Sequence, residues 1–357
     1  MSRIERLIEE LKKEKIEGMF LVTDANIRYL TGFTGSDSYV IITENDKYFI
    51  TDGRYVEQAE NECPGFKVIN WRQISKRISK AIGDIIKDFK IQSLGFEKNH
   101  MTFELYTNLV EDVKELQLIP TKGIVESIRY VKDDEEIQRI KKACEISQNA
   151  LDKTLEFIKP GVTEKEISAE LEYHIKKQGA DGMGFDTILI SGKRTSLLHG
   201  NPSDKKIEYG DFITIDFGAK YDGYICDMTR TFVVGKASEE QRTVYETIKE
   251  ALRYATDSIK ANVSSKIPLK KAKEIVEKAG YLKHYYPNLG HGVGLILHEE
   301  PFIGPAAEYT LKENCVITVE PGIYIPDWGG VRIEDMVLVT EGCFEILTKS
   351  TKELIIL

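Results

Sequence analysis

Two separated segments of the chain, FITIDFGAKYDGYICDMTRTFVVG (Phe212–Gly235) and CVITVEPGIYIPDWGGVRIEDMVLV (Cys315–Val339), follow one plan. In each, an apolar run rich in β-branched residues ends on an acid, and a glycine-bearing turn region follows. A second apolar run then returns with another acid. Strand-forming alternation interrupted by Gly223 predicts a hairpin for the first segment. Asp216 and Asp227 lie 227 − 216 = 11 positions apart, so a hairpin folds them to the same level of one sheet. In the second segment Glu320 stands where Asp216 did, and Glu334 lies 334 − 320 = 14 positions on. Either pair alone also reads as two strand-ending acids. Together they read as an internal duplication, which restricts the fold to two pseudo-symmetric halves whose four carboxylates converge.

Convergence has a chemical consequence. Adjacent carboxylates repel, and one pKa rises sharply unless a cation lies between them. Four such groups in one cleft call for two divalent cations to offset the buried charge. The segment NLGHGVGLILH (Asn288–His298) brings His291 and His298 in a glycine-rich setting, and so a candidate nitrogen ligand. A carboxylate-rich set with one imidazole suits Mn²⁺, Co²⁺ or Fe²⁺ better than a zinc site built on Cys and His. Mn²⁺ is the expected ion, with Co²⁺, Fe²⁺ or Zn²⁺ as alternatives.

At these residues the chain resembles the pita-bread metallopeptidases of the aminopeptidase P, prolidase and methionine aminopeptidase superfamily. The resemblance runs through ITIDFGAKYDGYICDMTRTF, GHGVGLILHEEP, ITVEPGIYIP and GGVRIEDMVLV, and covers most of residues 130–350. NIRYLTGFTGSDS, nearer the N-terminus, resembles the creatinase-type domain of Xaa-Pro peptidases, which methionine aminopeptidases lack. The resemblance implies a creatinase-like α/β domain over residues 1–127 and a pita-bread catalytic domain with a pseudo-twofold repeat over residues 128–357.

For the site, it implies Asp216 on a first metal, His291 and Glu320 on a second, and Asp227 and Glu334 bridging them. Two ions roughly 3.5–4 Å apart share a water and lower its pKa towards neutrality. Glu320 is then also placed to carry that water's proton to the leaving nitrogen. His298, 298 − 291 = 7 residues beyond His291, matches a residue that hydrogen-bonds the scissile carbonyl or its oxyanion. His199, in LLHGNPSD, reads alone as a structural histidine at a strand edge; the matching family histidine faces substrate. Arg332, two residues before Glu334, reads as lying on the same strand face, where it orients that carboxylate or holds substrate. Tyr324 reads equally as packing or as a substrate contact. Asp37 lies in a segment whose family equivalent reaches a neighbouring subunit's active site, which makes it a candidate contact for the substrate terminus. A homodimer is implied on the same ground.

The implied reaction is hydrolysis of the Xaa-Pro bond in proline-containing peptides. That bond is a tertiary amide with no N–H, so a strand-like clamp on the amide cannot use it. Two positions depart from the family pattern. Pro287 stands where a histidine is common four residues before the metal-binding one, and Phe302 stands where many prolidases carry an arginine. Phe302 offers no counter-charge to a dipeptide's carboxylate. The expectation is therefore an aminopeptidase releasing the N-terminal residue before proline, with prolidase as the alternative. Creatinase and partner-binding pita-bread modules form a distant third reading, since those lose ligands that all stand here.

Global properties narrow the setting. With 357 residues, two domains are expected, because single cores seldom grow past roughly 250–300 residues. A net charge of −9 disfavours nucleic acid or an anionic membrane as partner. The N-terminal MSRIERLIEELKKEKIEG is too charged for a signal peptide, and no apolar run reaches spanning length. The five cysteines are odd in number and lack CxxC spacing, which fits reduced thiols and a cytoplasmic location. Helical spacing of Ile4, Leu7, Ile8 and Leu11, strands over 19–22, 39–43, 47–51 and SLGFE, and an apolar face from Ile74 to Phe89 predict an α/β first domain. Asn26–Ser38 is expected to be an exposed loop. The pattern from Lys132 to Lys159 predicts one long helix ended by Pro160-Gly161, and Thr163 with Glu166 makes a capping box for the next.

Overall fold

The computed structural model describes residues 1–306 and 308–357, which form two compact units, Met1–Arg129 and Tyr130–Leu357. The first unit is built on strands β1 (Gly18–Leu21), β2 (Tyr39–Thr43), β3 (Lys47–Thr51), β4 (Lys67–Asn70), β5 (Ser93–Glu97) and β6 (Gln117–Thr121). They form one sheet in the order β4-β3-β2-β1-β5-β6, with β2 antiparallel to both its neighbours and the remaining pairs parallel. Parallel pairs require crossovers, and helices supply them: Val56–Glu62 joins β3 to β4 and Phe103–Asp112 joins β5 to β6, while Ile78–Ile86 lies on the path that carries the chain from β4 to β5 beside β1. Ile82, Ile86 and Leu109 from those helices pack on Phe20, Ile41 and Leu94 from the sheet.

Two local expectations need correction in this unit. Asn26–Ser38 is not a loop throughout, because Asp24–Thr31 is helical, with Asn26, Ile27 and Tyr29 buried. Threonine and glycine content suggested a loop, but the buried Glu97 carboxylate overrides it. It accepts the N–H groups of Val22 and Thr23, which lead into the helix, and the side-chain amide of Asn26 in its first turn, and so ties the start of the helix to β5. Gly32 then ends the helix at φ 84°, and only the residues after it are irregular. The expected apolar helix is also shorter than its pattern. It begins at Ile78, since Ser75 captures the Arg77 N–H in a turn that competes with helix.

The second unit carries the duplication. Its strands are β7 (Gly182–Met183), β8 (Ile188–Ser191), β9 (Phe212–Phe217), β10 (Ala219–Tyr221), β11 (Tyr224–Ile225), β12 (Met228–Val233) and β13 (Gly290–Gly292). Then come β14 (Glu299–Ile303), β15 (Val316–Val319), β16 (Gly322–Ile325), β17 (Gly329–Arg332), β18 (Asp335–Val339) and β19 (Phe344–Ile346). β9 pairs antiparallel with β12, setting Asp216 opposite Thr229; β15 pairs antiparallel with β18, setting Val319 opposite Asp335. Asp227 and Glu334 thus each occupy the residue before a return strand, at equivalent places in the two halves. Helices Asp134–Leu155 and Glu164–Lys177 contribute Ile140, Ala143 and Leu171 to a core shared with Ile215 and Phe217. Glu239–Thr256 contributes Val244 and Ile248 to a second core with Ile317 and Val337. The Thr163–Glu166 capping box is present. No helix among the described residues is long and apolar enough to cross a membrane.

The turn regions of both hairpins are themselves strand pairs, β10–β11 and β16–β17. A Cβ at Gly218 would lie 1.5 Å from the Cys226 carbonyl oxygen, so only glycine lets the first crossing close this tightly. The second pair corrects the placement of Arg332. It ends β17, whereas Glu334 lies in the link to β18, so the two do not share a strand face. The Glu334 N–H is instead bonded to the Thr229 carbonyl at 3.1 Å, which turns the chain away after Arg332.

Candidate metal centre

Each acid reaches the centre from a strand or its immediate end. Asp216 lies within β9, Asp227 and Glu334 precede β12 and β18, Glu320 follows β15, and His291 is the middle residue of β13. The Asp227, His291 and Glu334 side chains each offer a ligand atom within 4.8 Å of the others, and all three residues are buried. His291 Nε2 lies 3.5 Å from both Asp227 Oδ2 and Glu320 Oε1. Its Nδ1 lies 3.0 Å from the Gly292 carbonyl and donates to it, which leaves the Nε2 lone pair facing the acids. Thr318 fixes this corner by accepting the His291 N–H at 3.1 Å and approaching Glu320 at 3.4 Å.

Arg332 organises the opposite side. Its Nη2 donates to Asp216 Oδ2 at 2.6 Å, Nη1 to the Tyr324 hydroxyl at 2.8 Å, and Nε to Thr229 Oγ1 at 3.1 Å. The Thr229 hydroxyl donates its own proton to Glu334 Oε2 at 2.7 Å. Arg332 therefore orients Asp216 directly and Glu334 through one hydroxyl. Burial opposes its charge, but Tyr324, Asp216 and Glu320 outweigh burial and hold the guanidinium protonated.

One guanidinium does not neutralise four carboxylates. Burial, then Glu334, Asp216 and Glu320, push the Asp227 carboxyl well above the usual range. Glu334 is pushed up by burial, Glu320 and Asp216. Asp216 Oδ1 is buried and has no hydrogen-bond donor among the described residues. A buried carboxylate oxygen without a donor, beside acids held out of their normal ionisation, is what divalent cations would satisfy. The donor set of four carboxylates and one free imidazole nitrogen fits such ions.

The centre opens into a cavity of about 670 Å³, whose lining includes His199, His298, Tyr324, Phe302 and Asp186. That volume suits a short peptide. The His298 ring meets His291 edge-on at 4.4 Å between centroids. Burial, then the neighbouring His291 and His199, lower the His298 pKa, so it faces the cavity as neutral imidazole near pH 7. His199 is exposed on the cavity wall, and Tyr324 is held by Arg332. Asp37 belongs to the first unit, at φ 52°, where Arg54 Nη2 reaches its Oδ2 at 3.2 Å.

Sequence reasoning missed Thr229. Its only signal was the alternation in DMTRTF, which puts Thr229 and Thr231 on one face. Removing the hydroxyl in Thr229→Val leaves Arg332 Nε and Glu334 Oε2 without their shared partner. Losing a partner of this kind typically costs 10–100-fold in metal affinity. Titration calorimetry of the metal-free variant with Mn²⁺ is expected to show about a tenfold weakening, while Thr229→Ser retains the wild-type affinity.

The chain matches the family model for metallopeptidase family M24 over residues 138–341 and that for the creatinase/prolidase N-terminal domain over residues 3–131. It is similar to an Xaa-Pro dipeptidase from Pyrococcus furiosus, 38% identical over 358 residues, with 99% of each chain covered. Among solved structures it resembles an Xaa-Pro dipeptidase from Bacillus anthracis, with 40% identity, a TM-score of 0.95 and 99% of each chain covered. It also resembles an X-Pro aminopeptidase from Thermotoga maritima, with 38% identity, a TM-score of 0.93 and 100% of both chains covered.

Proposed function

The chain belongs to metallopeptidase family M24, and from that premise we propose that it hydrolyses the peptide bond before proline at a centre of two divalent cations, releasing the residue N-terminal to it. The observation that carries this is the buried Asp227, His291 and Glu334 cluster, with Asp216 and Glu320 beside it at the floor of a peptide-sized cavity. Mn²⁺ is the ion this oxygen-rich set suits best. Divalent ions bound there supply Lewis acidity and make water acidic enough to attack near neutral pH.

The protein's own groups do the rest. Glu320, with 28% of its side chain exposed, is the acid best placed to take a proton from water and give it to the proline nitrogen. Neutral His298 donates a hydrogen bond to the scissile oxygen as negative charge develops there, a contribution typically worth ~3 kcal/mol. His199 contacts the substrate from the cavity wall, Arg332 and Tyr324 bound it opposite, and Asp37 is a candidate contact for the substrate terminus. The cytoplasm and a homodimer are the setting we propose.

Relatives called dipeptidase and aminopeptidase both match over the full length, so the choice rests on the cavity. Arg332 is the cation among the described lining residues, and Asp216 and Tyr324 already engage it. Phe302, 42% exposed, offers a dipeptide's carboxylate no partner. This favours the aminopeptidase. With Mn²⁺ present, kcat/KM for Xaa-Pro-Yaa is expected to exceed that for Xaa-Pro by roughly tenfold, about the value of one charge-assisted contact. Phe302→Arg is expected to narrow the gap by supplying that contact. A wild-type preference for the dipeptide would instead make the protein a prolidase.

A further inference from the structure

Glu164, the first residue of the Glu164–Lys177 helix, has no solvent exposure, yet both carboxylate oxygens are fully engaged. Oε1 accepts the N–H and hydroxyl of Ser191 at 2.7 and 2.9 Å. Oε2 accepts the N–H and hydroxyl of Ser203 at 2.9 and 2.6 Å. Arg194 Nε spans both oxygens at 3.3 and 3.2 Å. One carboxylate thus closes both ends of the segment from Ser191 to Ser203, and His199 lies inside that segment.

The closure continues inside the segment. Arg194 Nη2 donates to the Asn201 carbonyl at 2.7 Å, two residues beyond His199, and Arg332 Nη1 reaches the Leu198 carbonyl at 3.3 Å. Lys165 N–H holds the Ser203 carbonyl at 3.2 Å. His199 is exposed, so its place in the cavity depends on the backbone that carries it. A free segment of this length would sample many conformations, and each fixed residue removes entropy that would otherwise be lost on binding substrate. A carboxylate suits the role because every group facing it is a donor and the helix N-terminus favours negative charge. Glutamine would turn an NH₂ towards one of the two serines.

We propose that Glu164 is a positioning residue that holds the Ser191–Ser203 segment closed so that His199 stands preset against substrate. The inference rests on the reading of His199 as a substrate contact. The test compares kcat and KM for the Mn²⁺-loaded wild type, Glu164→Gln, His199→Ala and the double variant on an Xaa-Pro-Yaa peptide. Glu164→Gln is expected to lower kcat/KM by about tenfold or more, since small displacements of a positioned group carry losses of that size. The double variant should be no slower than His199→Ala alone, because the lost placement no longer matters. Mn²⁺ affinity by calorimetry should be unchanged, as Glu164 touches none of the five proposed ligands.

Losses that multiply in the double variant, or a Glu164→Gln enzyme with wild-type kcat/KM, overturn the inference. A His199→Ala enzyme with wild-type kinetics overturns the reading of His199 and the inference with it, while leaving the metal centre intact. Should Glu164→Gln fail to fold, Ser203→Ala removes a single donor and must show the same non-additivity with His199→Ala; losses that multiply there overturn the inference equally.

Discussion

Asp227→Asn is expected to lower kcat/KM by at least about a thousandfold, equivalent to ~4 kcal/mol in the transition state, while making the metal-free protein more stable. Asparagine keeps the shape but removes a charge whose ionisation burial, Glu334, Asp216 and Glu320 all oppose. In the absence of cations that repulsion weakens the fold, and asparagine relieves it. With Mn²⁺ present the order reverses, because an ion bound only by the native state stabilises it by mass action. Thermal unfolding with and without Mn²⁺ gives the stability arm, and steady-state kinetics gives the other. A variant within tenfold of wild-type activity would remove Asp227 from the proposed ligand set. A merely structural aspartate would lower stability in both conditions.

Arg332→Leu carries the second large effect, with the opposite sign on stability. Its guanidinium serves Asp216, Tyr324 and Thr229 together, and it is 4% exposed. Leucine leaves the Asp216 carboxylate buried beside three other acids without its cation. Breaking a buried pair on one side typically costs 3–5 kcal/mol. Urea unfolding of the metal-free variant is expected to show a loss of that order, partly recovered by saturating Mn²⁺. Arg332→Lys should fall between, since one ammonium cannot reproduce three separately aimed donors. A loss below about 1 kcal/mol, the level of an exposed ion pair, would contradict the role given to this residue.

How much of this could be read from the chain alone follows the range of each interaction. The apolar runs FITI and VITV are local patterns, and they place Asp216 within a strand and Glu320 just past the end of one without reference to the rest of the fold. The Thr163–Glu166 cap and the strands Tyr39–Thr43 and Lys47–Thr51 are equally local. Asp24–Thr31 escaped because Glu97, which ties down the residues leading into that helix and Asn26 within it, comes from a distant strand. β16–β17 escaped because its glycines read as turn residues, and this put Arg332 on the wrong strand face. Thr229 and Glu164 escaped for one reason. Threonine is ordinary in a strand and glutamate ordinary in a first helical turn, and their partners Glu334, Ser191 and Ser203 lie far along the chain. No period in the sequence records a pairing of that kind.

Anomalous scattering from crystals soaked in Mn²⁺ tests the two-cation centre most directly. The expected result is two strong peaks per chain, both enclosed by Asp216, Asp227, His291, Glu320 and Glu334, with Asp227 and Glu334 between them. One peak, none, or peaks bound by other residues would contradict it.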